Sequence, residues 1–347
     1  MPLFQVRRQS PTMVSGHEWA VQWGPLIRGD ILDRQRLGEL FREYKPIGVM
    51  HFAAYADVGE SMEEPLKYYR NNVAGALTLL ETMRENSVDQ MVFSSTCATY
   101  GVPQTIPISE LHEQNPINPY GASKLVGERM LADVGTAHGI RSVLLRYFNA
   151  AGADPDGELG EERLSEGHLV PLVLKVALGS RSHLTTFGTD YDTPDGTCIR
   201  DYVHVSDLAR VHVLALQALE RGSNNSCYNL GTGKGFSVKE VIQAAREVTG
   251  RSIQVTPHGW SRTRLKPRGN WVGRHATLIS VKLSRLHGIG WSSANLRPLP
   301  SHRKTMHRIR GAMQKHSARG LSWGLKLIGG ASALPSFAVT HSDRPKC

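Results

Sequence analysis

Tyr120 and Lys124, in the segment NPYGASK, stand four residues apart. In a helix such positions share a face, one turn from each other. A lysine ammonium placed there favours the phenolate, because a nearby positive charge stabilises a neighbour's anionic form. Tyrosine starts near a pKa of about 10, so it needs such help to act as a base near neutral pH. The lysine can also hold the ribose hydroxyls of a nicotinamide nucleotide. The spacing alone recurs by chance on many helices, so its surroundings decide its weight. After the apolar run QMVF comes SSTCATYG, a hydroxyl-rich cluster at the carboxyl end of a strand. Open α/β sheets bind ligands beyond those ends. Thr96 can there hydrogen-bond a sugar hydroxyl and pass its proton to Tyr120, although a strand-end cap is the plainer role for a threonine.

The elements that must position these residues alternate along the chain. The apolar run 47–54 reads as a buried strand and 65–85 as a long helix. Segment 90–96 is a second strand, 118–138 a second long helix and 142–149 a third strand. That rhythm predicts right-handed βαβ units and a parallel sheet. Runs such as VLLRYF suit strands covered on both faces. After Asn149 the texture changes to a polar, Gly/Pro-rich loop (AAGADPDGELGEE) and the helical HLVPLVLKVALGS. There follow a short strand LTTFG, the turn TDYDTPDGT, a helix over 205–220, the strand CYNLG and a helix over 238–249.

At 347 residues, 40% hydrophobic and 21% charged, the chain has the makings of a soluble globular protein with a sizeable core. It holds no apolar run of membrane-spanning length, and its first residues lack the apolar stretch of a secretory signal. Cys97, Cys198, Cys227 and Cys347 have neither paired nor CxxC spacing, which argues against a zinc site or a disulfide framework. Reduced thiols and a cytoplasmic setting are expected. The net charge of +10 is concentrated in residues 258–347, which carry 17 Lys+Arg against one acid, Asp343. Four of the six Trp lie there too, with no Glu. Its cations follow no face and no aromatic repeat, which argues against a nucleic-acid-binding tail. Such a composition suits an out-of-frame reading of a GC-rich gene, which re-sequencing the coding DNA tests.

A family resemblance joins these motifs. HFAAYADVGES, PLKYYRNNVAG, VFSSTCATYG, NPYGASK, LLRYFNAAGADP, GTCIRDYVHVSDLA and YNLGTGKGFSV, in this order, resemble UDP-glucose 4-epimerases of the extended short-chain dehydrogenase/reductase superfamily. The likeness runs from about Ser15 to Pro257. It implies an α/β fold, a Rossmann-like doubly wound parallel sheet (N-terminally incomplete) with a smaller α/β substrate-binding lobe. The division it implies is an NAD-binding part over 1–149, a sugar-nucleotide lobe over 150–257 and an atypical basic tail over 258–347. By the resemblance, Tyr120 is the base for the sugar 4-hydroxyl, Lys124 holds the nicotinamide ribose and Thr96 relays the proton. Asp30 and Ile31 flank the adenine, Phe52, Ala53 and Ala54 line the pyrophosphate and ribose, Asn71 helps hold the cofactor and Phe148 lies near the nicotinamide. Asn149 and Arg200 contact the substrate diphosphate, His168 and Leu169 stand in place of the family's Asn-Leu pair, and Thr185, Thr186 and Phe187 border the uracil. UDP-galactose and UDP-glucose are the implied substrates, NAD the cofactor, and a homodimer through helices 65–85 and 118–138 the implied assembly. Galactose use and exported polysaccharide are the processes such a product would feed.

Two departures stand out. No GxxGxxG turn precedes Gly29, so the family's first strand, glycine turn, first helix and second strand are expected to be absent. After VTPH the family's Arg-rich, Gly-Asp segment is replaced by GWSRTRLKPRGNWVG. Two rival readings are a 4,6-dehydratase and a catalytically impaired relative acting as a binding protein. The first needs an acid pair after the strand-end threonine, where Cys97 and Ala98 stand instead.

Overall fold

The apolar segments of the first half become parallel strands because each has a covered face on both sides. A computed structural model describes residues 24–161 and 166–257, together with the backbone of Leu3–Val6 and Val339–Thr340. Its main sheet has seven parallel strands in the order β2-β1-β12-β3-β4-β5-β9. These are β1 (Leu3–Val6), β2 (Leu26–Gly29), β3 (Val49–His51), β4 (Gln90–Thr96), β5 (Arg141–Tyr147), β9 (Ser226–Leu230) and β12 (Val339–Thr340). On one face pack α1 (Arg34–Tyr44), α4 (Gly75–Glu85) and α5 (Pro119–His138), around Leu37, Leu79, Met83, Phe93 and Leu131. On the other lies α7 (Val205–Glu220), whose Leu208, Leu216 and Leu219 meet Val92, Val143 and Leu145. The doubly wound α/β architecture expected from the sequence is the one observed.

The edge before Gly29 differs from expectation. Leu3–Val6 pairs parallel with β2 along all four residues, and Val339–Thr340 joins it to β3 through Val339 opposite His51. The expected absence of any earlier strand is thus corrected. LFQV is short, and only partners on both sides, one of them from the far end of the chain, make it a strand. The remaining residues of the basic segment from His258, and residues 7–23, lie outside the described residues.

Three other segments depart instructively. The strand expected over 47–54 is confined to Val49–His51, and Phe52, Ala53 and Ala54 run on as loop across the sheet's carboxyl edge. The helix expected over 65–85 is interrupted. After α2 (Val58–Glu63), α3 (Pro65–Tyr68) passes into a π-helical stretch, Tyr69–Ala74, before α4 begins. The wider turn carries an extra residue inward. Asn72 there accepts from the Tyr55 N–H at 2.8 Å and donates to Tyr55 O at 3.0 Å and Ser123 Oγ at 2.9 Å. Finally, β5 stops at Tyr147, and Asn149 opens β6 (Asn149–Ala151) in a second sheet, ordered β10-β8-β6 with β8 (Ile199–His204) and β10 (Gly235–Ser237). α6 (Leu169–Ala177), α8 (Val238–Thr249) and the parallel pair β7 (Leu184–Thr186) and β11 (Val255–Pro257) surround a third core of Val173, Val176, Leu184, Ile242 and Ile253. Helix α8 starts with a complete capping box between Ser237 and Glu240.

Two histidines are buried in the main sheet's packing. Burial, aided by the Lys124 charge, pushes His51 down to about 3, and burial pushes His212 down to about 4. An unfolded chain takes up these protons near pH 6.5. Below that pH the unfolded state binds more protons than the folded one, so stability is full above about 6.5 and falls as pH drops towards the folded values. Each histidine should cost about 2 kcal/mol between pH 6.5 and 5. Urea unfolding of wild type and His212→Gln at pH 7 and pH 5 checks this. The variant should lose less on acidification, and an equal loss would refute the assignment.

Candidate active site

Tyr120 reaches the sheet because its helix can approach closely. Asn118 caps α5 by accepting from Gly121 N at 2.8 Å, and Pro119 sets the first turn. A side chain at Gly121 would lie 2.4 Å from Ala98 O, and one at Gly127 would lie 2.7 Å from the Phe93 ring. These two glycines let α5 lie directly on β4 and the 3-10 turn Cys97–Tyr100 that follows it.

The result joins the three residues expected to do chemistry. The Thr96 hydroxyl acts on the Tyr120 phenol and draws its pKa down. Thr96 Oγ1 also accepts from Ala98 N at 3.2 Å, so it caps the turn as well as meeting the phenol. Lys124 is buried, donates from Nζ to Ser94 O at 2.8 Å and lies 4.9 Å from the Phe93 ring centre. Burial pushes it down to about 7, against the pull of Glu128. Burial also pushes the half-buried Tyr120 above its ordinary value, Tyr147 pushes the same way, and Thr96 pulls it back. Here expectation and structure part. The group that favours the phenolate is Thr96, because the ammonium is drawn to the Ser94 carbonyl rather than to the tyrosine one turn before it.

Around this centre stand several of the other expected residues. Phe148, like Cys97, packs against the buried pair Tyr100 and Ile108. Asn149 Nδ2 donates to Asp201 O at 3.0 Å, and the Arg200 charge acts on Cys97, the neighbour of Thr96. Arg200 and its neighbour Asp201 engage different partners. Asp201 is fully buried and receives the Thr232 and Gly233 amides, while Arg200 donates to Ile199 O at 3.2 Å. Asn71 is buried and donates to Asn72 Oδ1 at 3.0 Å. Ala53 and Ala54 are buried, and Phe52 stacks on His212 at 4.5 Å.

The remaining expected residues lie elsewhere. Asp30 and Ile31 follow β2, four strands from β4 in the sheet order. Asp30 Oδ1 accepts from Leu32 N at 2.9 Å, and the Ile31 side chain is buried in the core with Leu37 and Leu79. Thr185 and Thr186 are in β7, Thr186 buried, and Phe187 beyond them is 67% exposed. Leu169 packs in the third core, and His168 is exposed and paired with Glu161 at 2.6 Å. Sequence reasoning missed Ser94, whose carbonyl holds Lys124, and Glu128, one further turn along α5. The second was open to detection, since Tyr120, Lys124 and Glu128 fall at i, i+4 and i+8.

Comparison with known proteins bears on this arrangement. Residues 4–231 match the model of the NAD dependent epimerase/dehydratase family. The chain belongs to this family.

That match begins at residue 4 rather than near Ser15, in keeping with the strand at Leu3–Val6. Within the NAD dependent epimerase/dehydratase family, the chain is 47% identical over 277 residues to a UDP-glucose 4-epimerase of Rhizobium meliloti (strain 1021), covering 80% of this chain and 81% of that one. The solved UDP-glucose 4-epimerase of Brucella ovis in complex with NAD is 49% identical, with a TM-score of 0.72 over 80% of this chain and 82% of the other. That of Bifidobacterium longum in complex with NAD+ and UDP is 38% identical, with a TM-score of 0.67 over 77% and 78%.

The donors at the carboxyl edge fit one end of a nicotinamide dinucleotide. Among the described residues Lys124 engages one of its three N–H donors. A buried ammonium with two donors to place matches a pair of ribose hydroxyls. The pyrophosphate end is met in such folds by the amides of a glycine turn at a helix N-terminus. The chain contains no GxxGxxG.

Proposed function

We propose that the protein is a UDP-glucose 4-epimerase, interconverting UDP-galactose and UDP-glucose through a 4-keto sugar with bound NAD. The observation that carries this reading is the buried Lys124 ammonium held by Ser94 O at 2.8 Å one turn from Tyr120, whose phenol the Thr96 hydroxyl at the carboxyl end of β4 acts on. Tyr120 takes the proton of the sugar 4-hydroxyl, with Thr96 as relay, and returns it once the ketone has turned over in the site. When bound, NAD would supply a reversible hydride acceptor for C4 of the sugar, with no net redox change. Lys124 holds the nicotinamide ribose, and Asn71 and Phe148 border that end. Phe52, Ala53 and Ala54 line the pyrophosphate side, and Asp30 and Ile31 the adenine. Asn149 and Arg200 meet the substrate diphosphate, which a guanidinium suits. Thr185, Thr186 and Phe187 border the uracil, and His168 and Leu169 the sugar nucleotide beside them. Residues 1–149 would thus carry the cofactor and 150–257 the substrate. The dehydratase reading lacks its acid pair, because Cys97 and Ala98 follow Thr96.

Purified protein is tested for bound nicotinamide by absorbance and fluorescence, and for UDP-galactose turnover with and without added NAD. Turnover that rises with added NAD is expected, because the glycine turn is missing. The absence of both turnover and NAD binding would overturn the reading. Thr96→Val should lower kcat about 10- to 100-fold, the worth of a hydrogen bond to a charged group. Its pH optimum should move up, since Thr96 pulls the phenol down.

The assembly we propose is a homodimer in the cytoplasm. Met62, Leu66, Tyr69 and Leu77 are exposed along α2 to α4, Leu66 to 80%, an apolar face of the kind that pairs. No described helix is long and apolar enough to cross a membrane, and Cys97, Cys198 and Cys227 are free thiols. Galactose use and exported polysaccharide are the processes its product would feed.

A further inference from the structure

Helix α5 and strand β4 are joined by two hydrogen bonds, Ser94 O accepting from Lys124 and Ser95 Oγ donating to Glu128, and Thr96 acts on the Tyr120 phenol beside them. The helix residues lie one turn apart on one face, and the strand residues are consecutive. Glu128 is 4% exposed and accepts, besides Ser95, from Arg146 Nε at 2.9 Å, Arg146 Nη2 at 2.5 Å and Gln114 Nε2 at 2.9 Å. A carboxylate so held by four donors cannot swing away, and it stands one turn from the buried ammonium. We propose that Glu128 is a positioning residue that acts through Lys124, holding the lysine in its charged form beside Tyr120.

Lys124 shares α5 with Tyr120 and Glu128 and acts on the neutral His51 of β3. Arg146 of β5 is held by Glu128. Tyr147 of β5 and Tyr68 of α3 face Tyr120, the second edge-on at 6.5 Å. Glu128 is the charge that supports the ammonium against its burial. Lysine loses its value to the site when neutral, because it then holds a ribose hydroxyl less firmly. The inference rests on the epimerase reading for its catalytic meaning and on geometry for the coupling itself.

The test follows Lys124 directly, by the pH dependence of its side-chain signal in protein labelled with 13Cε-lysine, identified by its loss in Lys124→Met. In Glu128→Gln the midpoint should fall by about 1 pH unit, the shift expected on losing a neighbouring opposite charge. Each unit lowers the charged fraction above the midpoint about tenfold, and turnover there with it. Because Arg146 would be left unpaired, Glu128→Gln/Arg146→Met gives the same measurement in a chain without the ion pair. An unchanged midpoint in a folded variant overturns the proposal. A lowered midpoint in protein that never turns over UDP-galactose would instead count against the epimerase reading alone.

Discussion

Tyr120→Phe is expected to lower kcat for UDP-galactose epimerisation by about 10²- to 10⁴-fold, the usual worth of a positioned acid–base group. The substitution removes one oxygen and leaves the ring that meets Tyr68 at 6.5 Å. The melting temperature and the binding of UDP should therefore stay close to wild type, so that kcat falls while KM changes little. The phenol is held above its ordinary pKa by burial, with Thr96 as the group that counters it. Above neutrality the growing phenolate fraction should offset the loss of the Lys124 charge in the wild type, whereas turnover of the phenylalanine variant should fall with pH there. Steady-state kinetics across pH 6–10, beside a thermal melt, checks both points. A variant that keeps wild-type kcat would remove Tyr120 from the reaction.

Arg146→Met is expected to destabilise the fold by about 3–5 kcal/mol, because it leaves the Glu128 carboxylate buried without its cation. Both side chains are nearly inaccessible, at 7% and 4%. Arg146 also donates to the Tyr100 hydroxyl at 2.8 Å, and that tyrosine in turn donates to Asn229 at 2.6 Å. One substitution thus disturbs β5, the turn after β4, helix α5 and β9 together. Removing the charge at both ends should restore most of the loss, since replacing a buried ion pair outright is often near neutral. Urea unfolding of Arg146→Met and of Glu128→Gln/Arg146→Met measures the difference. A single variant within 1 kcal/mol of wild type would show that the pair adds nothing.

How legible these features were depends on the kind of signal. Strand 90–96 and helices 205–220 and 238–249 have the bounds read from the sequence, because hydrophobic period, the Ser237/Glu240 cap and terminal Gly250 are local signals. The break at Tyr69–Ala74 was not legible. It exists because Asn72 meets Tyr55 and Ser123, residues 17 and 51 positions away. The strand at Leu3–Val6 was equally hidden, since four residues become a strand only with neighbours that sequence does not place.

The proposed catalytic triplet divides in the same way. Tyr120 and Lys124 were determined by the sequence as a pair on one helical face, because i and i+4 spacing is a property of the helix itself. Thr96 was determined as a strand-end hydroxyl, and the ordered motifs pointed to the family. Which groups act on one another was decided only by tertiary structure. The Lys124 ammonium turns to the Ser94 carbonyl, 30 residues away, and leaves Thr96 to pull the phenol towards its anion. Burial decides the rest, since it lowers Lys124 and raises Tyr120 by taking water from both, and no spacing rule contains the depth at which a side chain will sit.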